Sequence, residues 1–379
     1  MRFMSFCAIL SKIKFVFKWS LAKMTSRKER QKQFNITCCK KEVARREKVN
    51  RRTARRKLKL KRRGITYTPN TARKSRKSVR SHTLKAPSIL SLCQDSNDTV
   101  DFFDKVIWTI RECGVRDSIF FDLSGVTAIT PDAVMYLIAI VKNMRRIKAY
   151  QIVCSGNLPQ EQSARDVIEQ TGFYSYMKMP RLRRIDGDGR YMQISTGVTA
   201  DGELASSFCD FVQTKCGKTI CETKKLYPMI IELMTNTHQH AYHDENSIMA
   251  PNWYISAYLT DVGVHFVFLD TGAGIPATVH KKISERVFGP IIKNDSDYLV
   301  SALRGEFRTE TRQEHRGKGL PGIYEDSSTH EIENLSIVSN KGKCIINGKN
   351  ITTEKLSHGL EGTLFSWDIL NSVKLEEIA

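Results

Sequence analysis

Glu232 and Asn236 stand four residues apart, as do Asn236 and His240, in a stretch where Leu226, Met229, Ile230, Leu233 and Met234 recur at helical spacing. On a helix such residues lie over one another on one surface. A carboxylate and an amide aimed at one point suit a hydrated magnesium ion and an attacking water. His238, His240 and His243 admit two readings, a metal cluster or an extension of the Asn-bearing helix. No thiol stands near them to complete a zinc set, which favours the helix.

Two runs that read as strands, 253–259 and 264–269, lead into Asp270-Thr271-Gly272-Ala273-Gly274-Ile275-Pro276. Glycines one residue apart let the backbone approach a flat ligand, and Asp270 can accept a hydrogen bond from an exocyclic amine. Adenine carries such an amine, whereas guanine presents a carbonyl there. Arg316-Gly317-Lys318-Gly319-Leu320-Pro321-Gly322-Ile323 then sets glycines at the entry to a helix, where open amides and the helix dipole favour phosphate. Lys318 is either a phosphate ligand or a solvated loop lysine. Gly362-Thr363-Leu364-Phe365 is expected to begin the last strand.

Taken singly these motifs are short. Together, and in this order, E-L-x-x-N-x-x-x-H-A, D-x-G-x-G-I-P, G-x-G-L-x-G-I and G-T-x-F resemble the boxes of the gyrase, heat-shock chaperone, histidine kinase and MutL (GHKL) ATPases, over residues 186–370. The resemblance implies a two-layer α/β sandwich, with an ATP-binding domain at 186–372. It implies that Asn236 coordinates magnesium against the ATP phosphates, with Glu232 as base or water-orienting residue and His240 on the same helix. Asp270 would bind the adenine amine, with Thr363 supporting it through a water. Gly272 and Gly274 would line the base pocket, and Gly317, Gly319, Leu320 and Gly322 would hold the phosphates. Residues 277–315 would form a mobile lid over the nucleotide.

Upstream, residues 86–180 alternate apolar runs with helical patterns, an order that implies a small α/β domain. A strand at 118–121 leads to Asp122-Leu123-Ser124-Gly125-Val126. A helix then starts at Pro131 and Asp132, followed by a strand at 150–154 and a helix at 161–170 closed by Gly172. These residues resemble the STAS family. Where regulatory members carry an Asp-Ser-Ser or Asp-Ser-Thr phosphorylation turn, this chain has Thr130-Pro131-Asp132, which lacks the phosphoacceptor. A packing or docking role is therefore expected of this half.

The charge is uneven. Residues 1–85 carry 29 Lys and Arg against Glu29, Glu42 and Glu47, a net +26 where the whole chain is +20, so the remainder is net −6. A basic arm with few large apolar residues cannot build a core. Its composition fits either a merely solvated arm or a partner such as nucleic acid or an anionic surface, met through phosphate contacts rather than base stacking, because Tyr67 alone interleaves the basic clusters. Lys12, Lys14 and Lys18 limit the longest uncharged run in the first 23 residues to nine, against about 20 for a bilayer span. A surface-lying amphipathic helix and a translation start at Met24 remain alternative readings of that segment. Ten cysteines without paired C-x-x-C spacing suit reduced thiols and a cytoplasmic setting.

No histidine lies between His82 and His238, so the acceptor-bearing hairpin of a histidine autokinase is not expected. The expectation is a magnesium-dependent ATPase or ATP-driven switch that signals to a partner protein. A serine/threonine kinase acting on a separate partner, or a module that holds ATP without turnover, are the alternatives.

Overall fold

The computed structural model describes residues 80–371 apart from 95, 114–116, 148–152, 178–188, 240–248, 285–293 and 307–318. His240, Gly317, Lys318 and residues 1–79 of the basic arm thus lie outside the described residues, as do residues 150–152 of one expected strand.

The amino-terminal half runs β1 (Ser81–Lys85), β2 (Ile89–Leu90), α1 (Ser96–Glu112), β3 (Ser118–Asp122), β4 (Ala128–Ile129), α2 (Pro131–Ile147), β5 (Val153–Gly156), α3 (Gln162–Gln170) and α4 (Phe173–Met177). Strands β1, β3 and β5 form a parallel sheet in that spatial order, and β2 pairs with β4. The βα alternation read from sequence is present. Residues 81–85, grouped with the arm by composition, are instead a strand paired with β3. Pro131 suits the first turn of α2, where its missing N–H is not needed. The Asp132 carboxylate behind it receives the Leu92 and Cys93 amides at 3.1 and 3.0 Å, tying the helix start to the chain after β2.

The carboxy-terminal half runs β6 (Tyr191–Gly197), α5 (Gly202–Cys216), α6 (Ile220–Thr223), α7 (Leu226–Gln239), β7 (Trp253–Leu259), β8 (Gly263–Asp270), α8 (Ile275–Ser284), α9 (Asp295–Leu303), α10 (Gly319–Ser328), β9 (Glu333–Asn347) and β10 (Asn350–Leu370). The sheet order is β6-β7-β8-β10-β9, every neighbouring pair antiparallel. Asp201 caps α5 by accepting the Leu204 amide, and Gly217 ends it in the left-handed conformation, the pattern expected at helix termini. One face of the sheet carries Phe266, Phe268, Phe365 and Trp367 against Phe208 of α5, Ile230 of α7 and Ile323 of α10. Trp367 is fully buried and stacks on Phe266 with centroids 5.0 Å apart. Truncating such a side chain to Ala costs about 3–5 kcal/mol.

The other face of this sheet is also covered. Tyr254, Val267, Leu269, Val338 and Leu364 share a core with Val100, Phe103 and Val106 of α1 and with Met135, Tyr136 and Ile138 of α2. Residues Ala133 through Val141 are all buried, as a helix must be when protein surrounds it. The two-layer sandwich expected from sequence is therefore closed on its second face by the amino-terminal half.

Two local expectations change. Gly362 does not begin a strand: β10 starts at Asn350 and passes through Gly362 after register shifts between Lys355 and Leu360 and between Leu360 and Thr363. Within the stretch read as a mobile lid, α9 is a docked helix, with Leu299 and Leu303 buried and the Ser296 hydroxyl donating to Glu354 O at 2.7 Å. Asn294 caps it through the Asp297 amide. Its apolar face fits the sheet, which the charge pattern around it concealed. Among the described residues no helix is long and apolar enough to cross a membrane, and no disulfide joins the described cysteines.

Candidate functional site

Asp270 is the last residue of β8, paired in register with Trp253 on one side and Thr363 on the other. The strand ends there because Thr271 turns its hydroxyl to Ala250 O at 2.6 Å, and the backbone leaves the sheet. Among the described residues the Asp270 carboxylate accepts one hydrogen bond, from the Gly272 amide at 2.8 Å. Burial pushes its pKa up to about 6, partly offset by that amide. A carboxylate so desolvated, with spare lone pairs, is an acceptor in want of a donor.

The segments next to Asp270 pack closely through glycines and against β9. Gly362 has φ +107°, and any Cβ there would run into the Asp270 carbonyl oxygen. Gly274 has φ +87°, and a Cβ would strike Asn340 Oδ1. A larger residue at Gly362 would have to move backbone, and one at Gly274 would displace the Asn340 and Ser339 side chains and strain its own positive φ. The fully buried Ser339 stitches the motifs together. Its Oγ lies 2.9 Å from Thr363 Oγ1, accepts the Ile275 amide at 3.0 Å and donates to Gly362 O at 3.0 Å. Asn340, left-handed at φ 49°, donates to Ala273 O at 3.2 Å, and its Oδ1 is buried without a hydrogen bond among the described residues.

Ser339 and Asn340 were not singled out from sequence. The available signal was Ser-Asn-Lys-Gly interrupting an apolar strand pattern, with Asn a residue that tolerates the left-handed conformation. The Thr363 hydroxyl, expected to support Asp270 through a water, also has a direct protein partner in Ser339.

The second group is carried by α7 and α10. Leu226, Met229, Ile230, Leu233 and Met234 are buried, and this fixes the rotation of α7 so that Glu232 and Asn236 keep partial exposure one turn apart. Gly319 begins α10 with φ +50°, and a Cβ there would lie 3.6 Å from Glu232 Oε1. The carboxylate on α7 thus sits at the amino terminus of α10, beside the backbone amides that a helix start leaves open. Gly322 is buried in the first turn, and Leu320 and Ile275 rest on the same core, so both halves of the site are anchored to one scaffold.

The structure therefore brings Glu232 to Gly319, and Asp270 to Gly272, Gly274 and Thr363 through Ser339. Asn236 projects from the same helix as Glu232. His240, Gly317 and Lys318 lie outside the described residues. No family model matches this chain, and no curated protein matches it.

Proposed function

We propose that this chain is a magnesium-dependent ATP-binding protein of the GHKL type, working as an ATPase or ATP-driven switch whose nucleotide state is read by a partner protein. The observation that carries the reading is the Asp270 carboxylate: desolvated by burial and, among the described residues, held by a single amide, that of Gly272, whose missing Cβ leaves the space beside the carboxylate open. An exocyclic amine is the donor such a group fits, and adenine supplies it.

Glu232 beside the start of α10 supports the phosphate half of the reading. A carboxylate at that distance from a phosphate-binding helix start can orient or deprotonate an attacking hydroxyl. Asn236, one turn on, offers an amide oxygen to a magnesium ion, which would neutralise phosphate charge. Gly319, Leu320 and Gly322 would present backbone to the phosphates. Thr363 and Ser339 would keep Asp270 in register with the base rather than touch it.

The second reading is a serine/threonine kinase acting on a separate partner. It is favoured by the STAS-like half, whose Thr130-Pro131-Asp132 turn lacks a serine and whose Thr130 hydroxyl is engaged by Asp132, so any acceptor lies elsewhere. Full-length protein incubated with ATP labelled at the γ-phosphate, alone and with candidate partners, separates the readings. Free phosphate marks an ATPase, and label on a partner marks a kinase. Neither outcome, with ATP nonetheless bound, marks a holding module.

A further inference from the structure

We propose a zinc-class metal site at the edge of the amino-terminal half, formed by His82, Cys113 and Asp117, remote in sequence from the nucleotide motifs. One ligand atom from each of these residues, the imidazole nitrogen, the sulfur and a carboxylate oxygen, lies within 4.8 Å of both others. Tetrahedral zinc with bonds of 2.0 to 2.3 Å holds its ligands roughly 3.5 Å apart. Binding an ion would therefore draw the three atoms together by about an ångström.

Three element ends deliver these groups. His82 is the second residue of β1, Cys113 follows the last turn of α1 with its amide on Thr109 O at 2.9 Å, and Asp117 precedes β3. Pairing of β1 with β3 sets His82 opposite Ile119, so Asp117, two residues before Ile119, lies on the His82 side of the strand pair. The His82 Nε2 stands 3.8 Å from Asp117 Oδ2, too far for a hydrogen bond, and it is shielded from solvent with no hydrogen-bond partner among the described residues. A buried imidazole nitrogen in that position is an unmet donor or acceptor unless something bridges it to its neighbours. The other Asp117 oxygen accepts the Arg80 amide at 3.2 Å, which orients the carboxylate as an outer hydrogen bond does for a metal ligand. Cys113 is buried at 4% exposure, and Asp117 keeps 13% of its side chain accessible.

The donor set of one thiolate, one imidazole and one carboxylate selects zinc over magnesium or calcium, whose preferred ligands are oxygens. Three protein ligands leave a fourth position for solvent or another donor. Such an ion would tie the end of α1 to the paired strands β1 and β3, adding stability that a chelator removes.

The test is a Co²⁺ titration of metal-free full-length protein without nucleotide or magnesium, read by absorption. The proposal predicts one tightly bound equivalent with a near-ultraviolet thiolate-to-cobalt band that Zn²⁺ displaces. Cys113→Ser should remove the band, His82→Ala should weaken binding by about tenfold or more, and Cys221→Ser, at an exposed cysteine far along the chain, should change neither. Zn²⁺ should also raise the melting temperature of the wild type and not of His82→Ala, a readout that stands if Cys113→Ser fails to fold. Absence of saturable binding to the wild type, or a band and a zinc-induced melting shift that survive His82→Ala, overturns the proposal in favour of a plain His–Asp pair beside a buried thiol.

Discussion

The hydroxyl of Tyr136, fully buried on α2, accepts the backbone amide of Glu361 at 3.0 Å, immediately before the glycine and threonine that flank Asp270. Glu361 is held a second time, by Arg111 of α1 at 2.7 Å. The amino-terminal half is thereby in direct contact with the strand segment that forms one wall of the proposed base pocket.

Tyr136→Phe should therefore act at a distance. Removing the hydroxyl leaves a part-buried amide without this partner, at a cost of about 1–2 kcal/mol in stability. It should also weaken ATP binding several fold, because Gly362 and Thr363 lose their brace. Arg111→Ala breaks an exposed ion pair worth under about 1 kcal/mol and should leave both nearly unchanged. Thermal melting and nucleotide titration of the two variants check this. Unaltered ATP affinity in a folded Tyr136→Phe protein would mean that α2 does not set the position of β10.

Asp270 should make the nucleotide-free protein pH-sensitive. Its pKa is raised to about 6, so between the ordinary value near 3.8 and that point the folded state binds a proton that the unfolded state releases. The group's contribution to stability is thus full below the ordinary value and lost as pH rises through about 6, a difference on the order of 2–3 kcal/mol. ATP affinity should change in the opposite sense, growing over the same window as the carboxylate ionises and becomes a full acceptor. Asp270→Asn should flatten both profiles and raise the melting temperature at neutral pH. A variant that melts lower than the parent at pH 7 would contradict the burial account.

Glu232 and Asn236 should separate binding from turnover. Asn236→Ala should weaken magnesium-dependent ATP binding and abolish turnover together. Glu232→Ala should leave ATP affinity within a few fold while turnover falls by about 10² to 10⁴. Both side chains keep partial exposure, so neither change should unfold the protein. The check is paired measurement of affinity and of phosphate release or transfer at saturating ATP. Turnover at the parent rate in Glu232→Ala would reduce that residue to a surface carboxylate.

The basic arm should govern any polyanion binding, since the remainder of the chain is net negative. Because β1 begins at Ser81, the informative deletion removes residues 1–78 and spares the sheet. It should abolish binding to DNA, RNA or anionic lipid that weakens steeply with salt. Salt-insensitive binding, or none by the full chain, would leave the arm a solvated tail.

Much of the fold was legible because its signals are local. Apolar spacing gave α7 and the run of α2, turn glycines gave the ends of β8 and α3, and β7 was read to its boundaries. What escaped depends on residues distant in sequence. The register shifts in β10 that carry Gly362 to the back of Asp270 arise from pairing with β9. Ser339 shows its role only once three motifs converge on one hydroxyl. The docking of α1 and α2 on the second face of the sheet was equally hidden, because an apolar helix face says that it is buried without saying against what. His82, Cys113 and Asp117 escaped for the same reason, their spacing matching no contiguous metal motif.

The central claim is tested most directly by calorimetric titration of ATP, with magnesium, into the full-length wild type and Asp270→Asn side by side. The account predicts saturable one-to-one binding by the wild type, weakened by about ten- to a hundredfold in the folded variant, as the loss of one charge-assisted hydrogen bond worth about 1.5–3 kcal/mol requires. No saturable binding by the wild type, or equal affinity in the two proteins, would contradict it.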